Sequence, residues 1–171
     1  MKSPKHPGPF LVVLSALLLF GMPARAQSPS EVGTLTISAD GFKSSTGTLV
    51  VRIFRQGDNL FGPPFRQQSL PVALPQTVIE FRNLPYATYS VLVFQDLNDN
   101  GQLDHDWKHL PNEPLGWSNH WRFNLLTGMP TFGKTKFAFS REHTVEAITL
   151  NRAPALSSSS HDQDSPSRRS Q

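Results

Sequence analysis

Short segments in which apolar and polar residues alternate recur along the central part of this chain. Two of them span residues 35–39 and 49–54, where Leu, Ile, Val or Ala occupies every second position. Side chains of a β-strand point to opposite faces in turn, so a period of two is typical of strands with one buried face. No window has an apolar stripe with the 3.6-residue period of a helix. The pattern therefore predicts a fold built mainly of β-strands.

Further segments of this kind complete a set of about seven short strands. They span residues 79–82, 89–94, 137–139 and 145–150, and a weaker one at 69–74 contains Pro71, which suits an edge strand. Residues 89–94 are apolar at nearly every position, so both faces of that strand should be covered. Gly and Pro separate most of the segments. Together they predict a sandwich of two antiparallel sheets.

One connection, residues 96–133, is far longer than the rest. Most connections in compact domains have about 4–6 residues, and much longer ones tend to be functional or disordered. This one carries five aromatic residues, Trp107, Trp117, Trp121, Phe123 and Phe132. Because such side chains are unfavourable in water, we expect the connection to be ordered around a small apolar core of its own.

The two ends of the chain differ in composition from the central part. Residues 1–26 combine Lys2 and Lys5, an apolar run over 10–20, and Ala24-Arg25-Ala26, which together predict a cleaved signal peptide. The apolar run is shorter than the roughly 20 residues of a membrane span, and a retained anchor is the alternative. Residues 152–171 are rich in Ser and predicted to be disordered. The domain is therefore expected at 27–151, in a periplasmic or secreted protein.

Charge and cysteine content restrict the partners. The whole chain has a net charge of +3, but after residue 26 it contains 13 basic and 13 acidic residues. This balance argues against a nucleic-acid partner. The chain has no Cys, which excludes disulfides, thiolate metal sites and a lipoprotein anchor. No segment after residue 26 is apolar enough to cross a membrane.

Residues 96–106 contain the most specific functional pattern, a spacing of oxygen-bearing side chains typical of a Ca²⁺-binding loop. Gly101 stands at the sixth position of that pattern, where a sharp turn is needed. Ca²⁺ takes about 6–8 oxygen ligands. Excess negative charge from here to residue 113 also favours a cation. The candidate ligands are Asp96, Asn98, Asn100, Gln102 through its backbone carbonyl, Asp104, Asp106 and Glu113.

Other interpretations of this stretch remain open. Trp107 stands where a helix-loop-helix calcium site has its bidentate Glu, so an EF-hand is not predicted. Asn100-Gly101 is also a strong turn signal, and a solvated turn without metal is the simplest alternative. A site for Zn²⁺, Cu²⁺ or Ni²⁺ would use His105, His109 and His120. That site is less favoured, because the spacing of the first two requires a helix and Pro111 opposes one.

An ordered series of motifs extends over residues 33–150. Gly33-Thr-Leu-Thr-Ile and Gly47-Thr-Leu-Val-Val-Arg-Ile-Phe come first, and residues 81–96 lead into the Asp/Asn loop. Pro111-Asn-Glu-Pro-Leu-Gly-Trp-Ser-Asn and a Phe-rich stretch at 132–139 follow. In this order the chain resembles a bacterial family of exported domains, domain of unknown function 2141. The resemblance implies an Ig-like or transthyretin-like β-sandwich without an assigned role. It also implies that Glu113, Ser118 and Asn119 share a site with Asp96.

Three functions are compatible with these features. The favoured one is a non-enzymatic exported module, in which Ca²⁺ orders the long connection so that it presents Trp117 and Trp121 to a protein or glycan of the cell envelope. The second is glycan binding by stacking on the same tryptophans. The third is a hydrolase, for which no Gly-x-Ser-x-Gly motif is present; its acid and base would come from Asp104, Asp106, Glu113, His105 and His120. The candidate ligand-binding residues are Trp117, Ser118, Asn119 and Trp121.

Overall fold

The computed structural model describes residues 31–107, 110–122 and 127–151. The predicted signal peptide at 1–26 and the predicted disordered tail at 152–171 lie outside the described residues, as does His109. Among the residues that are described, no helix is long and apolar enough to span a membrane.

Eight strands and one short helix are present in the described part of the chain, and the strands form two sheets. The three-stranded sheet has the order β4-β1-β8, and the five-stranded sheet has the order β3-β2-β5-β6, with β7 also paired with β5. The elements are β1 (Val32–Asp40), β2 (Thr48–Arg55), β3 (Arg66–Pro71), β4 (Thr77–Pro85), β5 (Ala87–Asp96), β6 (Leu115–Trp117), α1 (Phe132–Thr135), β7 (Lys136–Phe139) and β8 (Val145–Thr149).

The main core lies between the two sheets and is formed by alternate residues of the strands. In β1 these residues include Leu35 and Ile37, and in β2 they include Val51 and Ile53, all of them fully buried. Complete burial of such a side chain contributes about 1.5–3 kcal/mol. The alternation in the sequence thus corresponds to the inner faces of both sheets, and the prediction of an all-β sandwich is confirmed.

The five-stranded sheet also has a covered outer face. A second apolar cluster there contains Val50 and Phe54 from β2, Leu92 and Phe94 from β5, and Trp117 from β6. Strand β5 is therefore buried on both faces, as its sequence predicted. The long connection folds back over this face, so Trp117 packs against the sheet rather than within a separate core of the connection.

Three details differ from the sequence-based expectation. Strand β8 pairs with β1 in parallel, whereas only antiparallel pairing was expected. A period of two looks the same in both arrangements, so the pattern cannot distinguish them. Strand β6 was not predicted, because it is only three residues long and therefore too short to show a period. The weak strand lies at an edge as expected, but it covers Arg66–Pro71 and ends at the proline rather than continuing past it.

Candidate metal centre

The acidic loop, residues 96–106, begins at the last residue of β5. Asp96 lies on the outer face of the five-stranded sheet and its side chain is buried. Its Oδ1 accepts a hydrogen bond from the backbone N–H of Asn100 at 3.2 Å, and its Oδ2 accepts one from Gly101 at 2.6 Å. Asp99 and Gly101 have positive φ values of 57° and 73°, which turn the loop back on itself. One carboxylate therefore holds the loop closed.

Three other predicted ligands are joined directly to each other. Asn98 donates from Nδ2 to Oδ2 of Asp104 at 2.7 Å, and Asn100 donates from Nδ2 to Oδ1 of Asp104 at 3.0 Å. The amide oxygens of the two asparagines accept backbone N–H groups, from Asn100 at 3.2 Å and from Gln102 at 2.7 Å. The loop therefore brings these three side chains together, with every one of their hydrogen bonds made inside the loop.

Glu113 reaches the same loop from outside it. Its Oε1 accepts the N–H of Leu97 at 2.8 Å, and its Oε2 accepts the N–H of Asp104 at 3.2 Å. The side chain is only 3% exposed, and this burial raises the pKa of the carboxyl group. The two backbone N–H groups act in the opposite direction and lower the pKa, whereas the negative charges of Asp96 and Asp104 raise it. Two neighbouring carboxylates thus act electrostatically on Glu113 at this end of β5.

A short hairpin explains how Glu113 arrives there. His105 and Pro111 form an isolated antiparallel bridge, and the N–H of Asn112 donates to the carbonyl oxygen of Asp104 at 2.9 Å. Asp106, a predicted ligand, accepts the N–H of Leu110 on its Oδ1 at 2.9 Å and so helps to hold this hairpin together. The side chain of Gln102 is exposed, and the predicted role of its backbone carbonyl stays a prediction.

The arrangement of the titratable residues bears on the choice of metal. Over the described ranges, no group of three or more His, Cys, Asp or Glu residues is arranged to hold a metal ion. His105 and His120 are both exposed. In the present conformation the loop carboxylates instead accept hydrogen bonds from N–H groups. A calcium site built from these side chains therefore stays a prediction.

Two β2 residues that the sequence did not single out fasten the acidic loop to the sheet. Thr48 donates from Oγ1 to Oδ1 of Asp99 at 2.6 Å, and Arg52 donates from Nη2 to the carbonyl oxygen of Gly101 at 2.9 Å. The guanidinium of Arg52 also lies 5.1 Å from the ring centroid of Phe94. These residues are about 50 positions away in sequence, so only the pairing of β2 with β5 could reveal them.

Close approach of β2 to the loop requires a residue without a side chain. Gly47 has a φ of 79°, and a Cβ atom there would collide with the backbone carbonyl oxygen of Asp96. Only glycine fits at this point, because a Cβ atom of any other residue would collide with the start of the acidic loop.

The predicted ligand-binding residues after Glu113 lie mostly inside the protein. Trp117 is 5% exposed and packs between Phe54 and Trp121, at ring-centroid distances of 6.3 and 6.4 Å. Ser118 is fully buried; its Oγ donates to the carbonyl oxygen of Thr135 at 2.5 Å and accepts the N–H of Val91 at 2.8 Å. In this conformation neither the Trp117 ring nor the Ser118 hydroxyl faces solvent.

Asn119 and Trp121 are more accessible. Asn119 is exposed, donates from Nδ2 to the carbonyl oxygen of Lys134 at 2.9 Å, and donates its backbone N–H to the buried carboxylate of Glu146 at 2.8 Å. Trp121 is partly buried against the outer cluster. Among the four residues, these two offer the accessible surface.

Strand pairing places these residues at a distance from the acidic loop. Leu115 pairs with Phe94 and Trp117 pairs with Leu92, so β6 runs along β5 away from Asp96. Ser118 contacts Val91, which is five residues from Asp96 and hence about 17 Å along the strand. Glu113 therefore lies at the acidic loop, whereas Ser118 and Asn119 lie farther down the sheet.

The chain was compared with known families, curated proteins and solved structures. The model of the bacterial family DUF2141, described as an uncharacterized protein conserved in bacteria, matches residues 37–147. This range includes strands β2 to β7, parts of β1 and β8, the acidic loop and Glu113. No curated protein and no solved structure matches the chain. Because the family model covers well over half of the chain, this protein belongs to the bacterial family DUF2141.

Proposed function

We propose that this protein is a non-enzymatic, exported β-sandwich module whose acidic loop binds one Ca²⁺ ion. The ion would rigidify the loop and the hairpin that follows it, and this surface would bind a partner in the cell envelope. The observation that carries the proposal is the gathering of five oxygen-bearing side chains around one tight loop. They are Asp96, Asn98, Asn100, Asp104 and Glu113.

Electrostatics supports a cation at this place. Asp96 and Glu113 are both buried, and the negative charges of Asp96 and Asp104 both act on Glu113. Burial of a carboxylate without a positive partner is unfavourable, and like charges nearby make it more so. A divalent cation offsets both effects. It also accepts oxygen donors at the coordination numbers that such a loop can supply.

The residues that would hold the ion follow from their chemistry. Carboxylate oxygens would come from Asp96, Asp104 and Glu113, and side-chain amide oxygens from Asn98 and Asn100. Both asparagines now direct Nδ2 toward Asp104. Rotation of each amide group about its last side-chain bond exchanges nitrogen for oxygen, since the two ends have nearly the same shape. This rotation would turn the amide oxygens toward the ion, and it would break the hydrogen bonds that they accept from the N–H groups of Asn100 and Gln102.

Export of the protein supports the calcium proposal, because an extracellular calcium site requires only a weak affinity for the ion. The basic, apolar and Ala-Arg-Ala segments at residues 1–26 are typical of a signal peptide. Extracellular calcium modules work with dissociation constants of about 10⁻⁴–10⁻³ M. A loop with neutral Asn at two ligand positions fits this weak range better than that of a cytosolic sensor.

Glycan binding by the tryptophans is less well supported. Stacking on a sugar requires an accessible ring face, and Trp117 is covered by Phe54 and Trp121. Trp121 and the exposed Asn119 alone would provide a much smaller platform. The acidic loop therefore remains the better candidate for the functional centre.

Calorimetric titration and thermal melting of the protein after residue 26 would test the proposal. We expect one saturable Ca²⁺ event, with Mg²⁺ binding more weakly. With a dissociation constant of about 10⁻⁴–10⁻³ M, 10 mM Ca²⁺ should stabilise the fold by about 1.4–2.7 kcal/mol relative to EDTA. An unchanged melting temperature, together with no heat of binding at 10 mM Ca²⁺, would exclude the metal from the function.

A further inference from the structure

The end of the five-stranded sheet opposite the acidic loop carries two arginines on its inner face. Arg55, the last residue of β2, pairs with Tyr89, and Arg66, the first residue of β3, pairs with Ile53. Tyr89 and Ile53 both belong to the core between the sheets. Directly opposed residues share a face, so both arginines lie at the edge of the gap between the sheets, beyond its last apolar layer.

Both guanidinium groups lie near one aromatic ring. The Cζ atom of Arg55 is 4.2 Å from the ring centroid of Phe65, and that of Arg66 is 6.0 Å from the same centroid. Phe65 is stacked on Tyr89, with the centroids 6.3 Å apart and an angle of 6° between the rings. The rings therefore hold two positive charges close together through cation–π attraction.

The two arginines have very different hydrogen-bond partners. Arg66 is fixed across the gap, because it donates to the carbonyl oxygens of Arg82 at 3.0 Å and Asn83 at 3.4 Å on β4. Arg55 donates from Nε to Asp58 at a long 3.5 Å. Its terminal nitrogens, Nη1 and Nη2, donate to no acceptor among the described residues. The ring of Phe65 thus positions Arg55, and the two terminal nitrogens of its guanidinium group remain available to a ligand.

The local charges do not balance. Asp58 is the carboxylate paired with Arg55, and its Oδ2 also accepts the backbone N–H of that residue at 2.8 Å. The neighbouring Arg82 is paired with its own carboxylate, Glu80, at 3.1 Å. Among the described residues, Asp58 is the only acid that forms an ion pair with either of the two arginines beside Phe65, so one of the two positive charges has no ion-pair partner there.

We propose that Arg55 and Arg66 form a binding site for a phosphate group. The planar fork of Arg55 matches two oxygens of a phosphate, and Arg66 contributes the second positive charge. A phosphate group offers three oxygens to the two guanidinium groups, whereas a carboxylate offers two. The site lies seven residues along β2 from the acidic loop, about 24 Å away, so it does not depend on the calcium proposal.

Titration with inorganic phosphate in calcium-free buffer at constant ionic strength would test this site. Calorimetry and tyrosine fluorescence should both show one saturable event, and chloride should produce none. We expect Arg55→Gln to raise the dissociation constant at least tenfold and Arg55→Lys, which keeps the charge but loses the fork, to have an intermediate effect. Arg82→Gln is the matched control, since it removes an equal charge nearby, and its dissociation constant should stay within twofold of the wild type.

Two results would overturn the proposal: an equal loss of phosphate affinity in Arg55→Gln and Arg82→Gln, or an equal response of the wild type to chloride. Either result indicates screening of a diffuse positive charge rather than a phosphate site. Absence of saturation in the wild type would overturn it as well. Arg55 has a largely exposed side chain, so its variants should fold, and their melting curves would check this.

Cosedimentation with vesicles identifies the source of the phosphate. If binding to phosphatidylglycerol vesicles exceeds binding to phosphatidylcholine vesicles and is lost in Arg55→Gln, the site accepts a lipid headgroup. If only the inorganic ion binds in an Arg55-dependent way, the site accepts the phosphate of a soluble ligand.

Discussion

The two ends of the five-stranded sheet differ in charge and in construction, although the same two strands run between them. At one end Thr48 pairs with Asp96, and at the other Arg55 pairs with Tyr89. The acidic end is built mainly from consecutive residues of one loop. The arginine end is assembled from residues of β2, β3 and β5. Local sequence spacing can thus reveal the first site, whereas only strand pairing creates the second.

Burial also differs between the ends. At the acidic end, Asp96 and Glu113 are buried. At the arginine end, the side chain of Arg55 is 56% exposed, and Phe61 in the adjoining β2–β3 loop is exposed as well. We therefore expect substitutions to reduce stability strongly at the acidic end and only slightly at the arginine end.

The largest difference should appear between two aromatic residues. Trp117→Ala removes a buried ring from the outer cluster and should lower the free energy of unfolding by about 3–5 kcal/mol. Phe61→Ala, at the exposed position, should change it by no more than about 0.5 kcal/mol. Urea unfolding followed by circular dichroism measures both. Similar losses would contradict the contrast in burial between the outer cluster and the β2–β3 loop.

A smaller effect is expected from the loop carboxylates. Asp96→Asn leaves one acceptor for two backbone N–H groups and should cost about 1–3 kcal/mol in EDTA. It should also weaken Ca²⁺ binding at least tenfold. Asp99→Asn removes the same charge but retains an acceptor for Thr48, so its stability should stay within about 0.5 kcal/mol of the wild type. If both variants lose Ca²⁺ affinity equally, the effect reflects overall charge rather than ligation.

Glu113 should give the acidic end a distinctive pH dependence. Burial, the largest influence, raises its pKa in the folded protein above the usual 4.5, so the folded state binds a proton more readily than the unfolded state. Its stabilising contribution is complete below about pH 4.5 and is lost as the pH rises through the raised pKa. In EDTA, the unfolding free energy of the wild type minus that of Glu113→Gln should therefore increase as the pH falls.

If Glu113 is a ligand of Ca²⁺ as proposed, the ion should reverse this trend, because a metal ion binds the ionised form of a carboxyl group. Thermal or urea unfolding of both proteins between pH 4 and 7.5 measures how this difference in unfolding free energy changes with pH, once with Ca²⁺ and once without it. A difference that stays flat or decreases toward low pH in EDTA would contradict the assignment of the raised pKa to Glu113.

The smallest effect is expected at Arg55. Its contact with Phe65 is a partly exposed cation–π interaction, for which about 0.5–1 kcal/mol is typical. Arg55→Gln should therefore reduce the unfolding free energy by at most this amount in phosphate-free buffer. A loss comparable to that of Trp117→Ala would show that Arg55 is part of the structural core and not an available binding group.

Much of the acidic end could be predicted from the sequence alone. The positions from Asp96 to Asp104 follow one another in a single turn, so their spacing already predicted that they would gather. Glu113 was also identified, although the hairpin that delivers it depends on the bridge between His105 and Pro111. The support from Thr48 and Arg52 was not identified, since nothing near the loop in sequence points to β2.

The sequence by itself determined most of the strands and the acidic loop, because an alternating pattern and a tight turn are both decided by neighbouring residues. Tertiary structure decided the parallel pairing of β8 with β1, the burial of Trp117 and Ser118, and the meeting of Arg55 with Arg66 around Phe65. These features depend on contacts between segments far apart in the chain, and the free energy of such contacts comes from burial and charge that exist only once both sheets are formed.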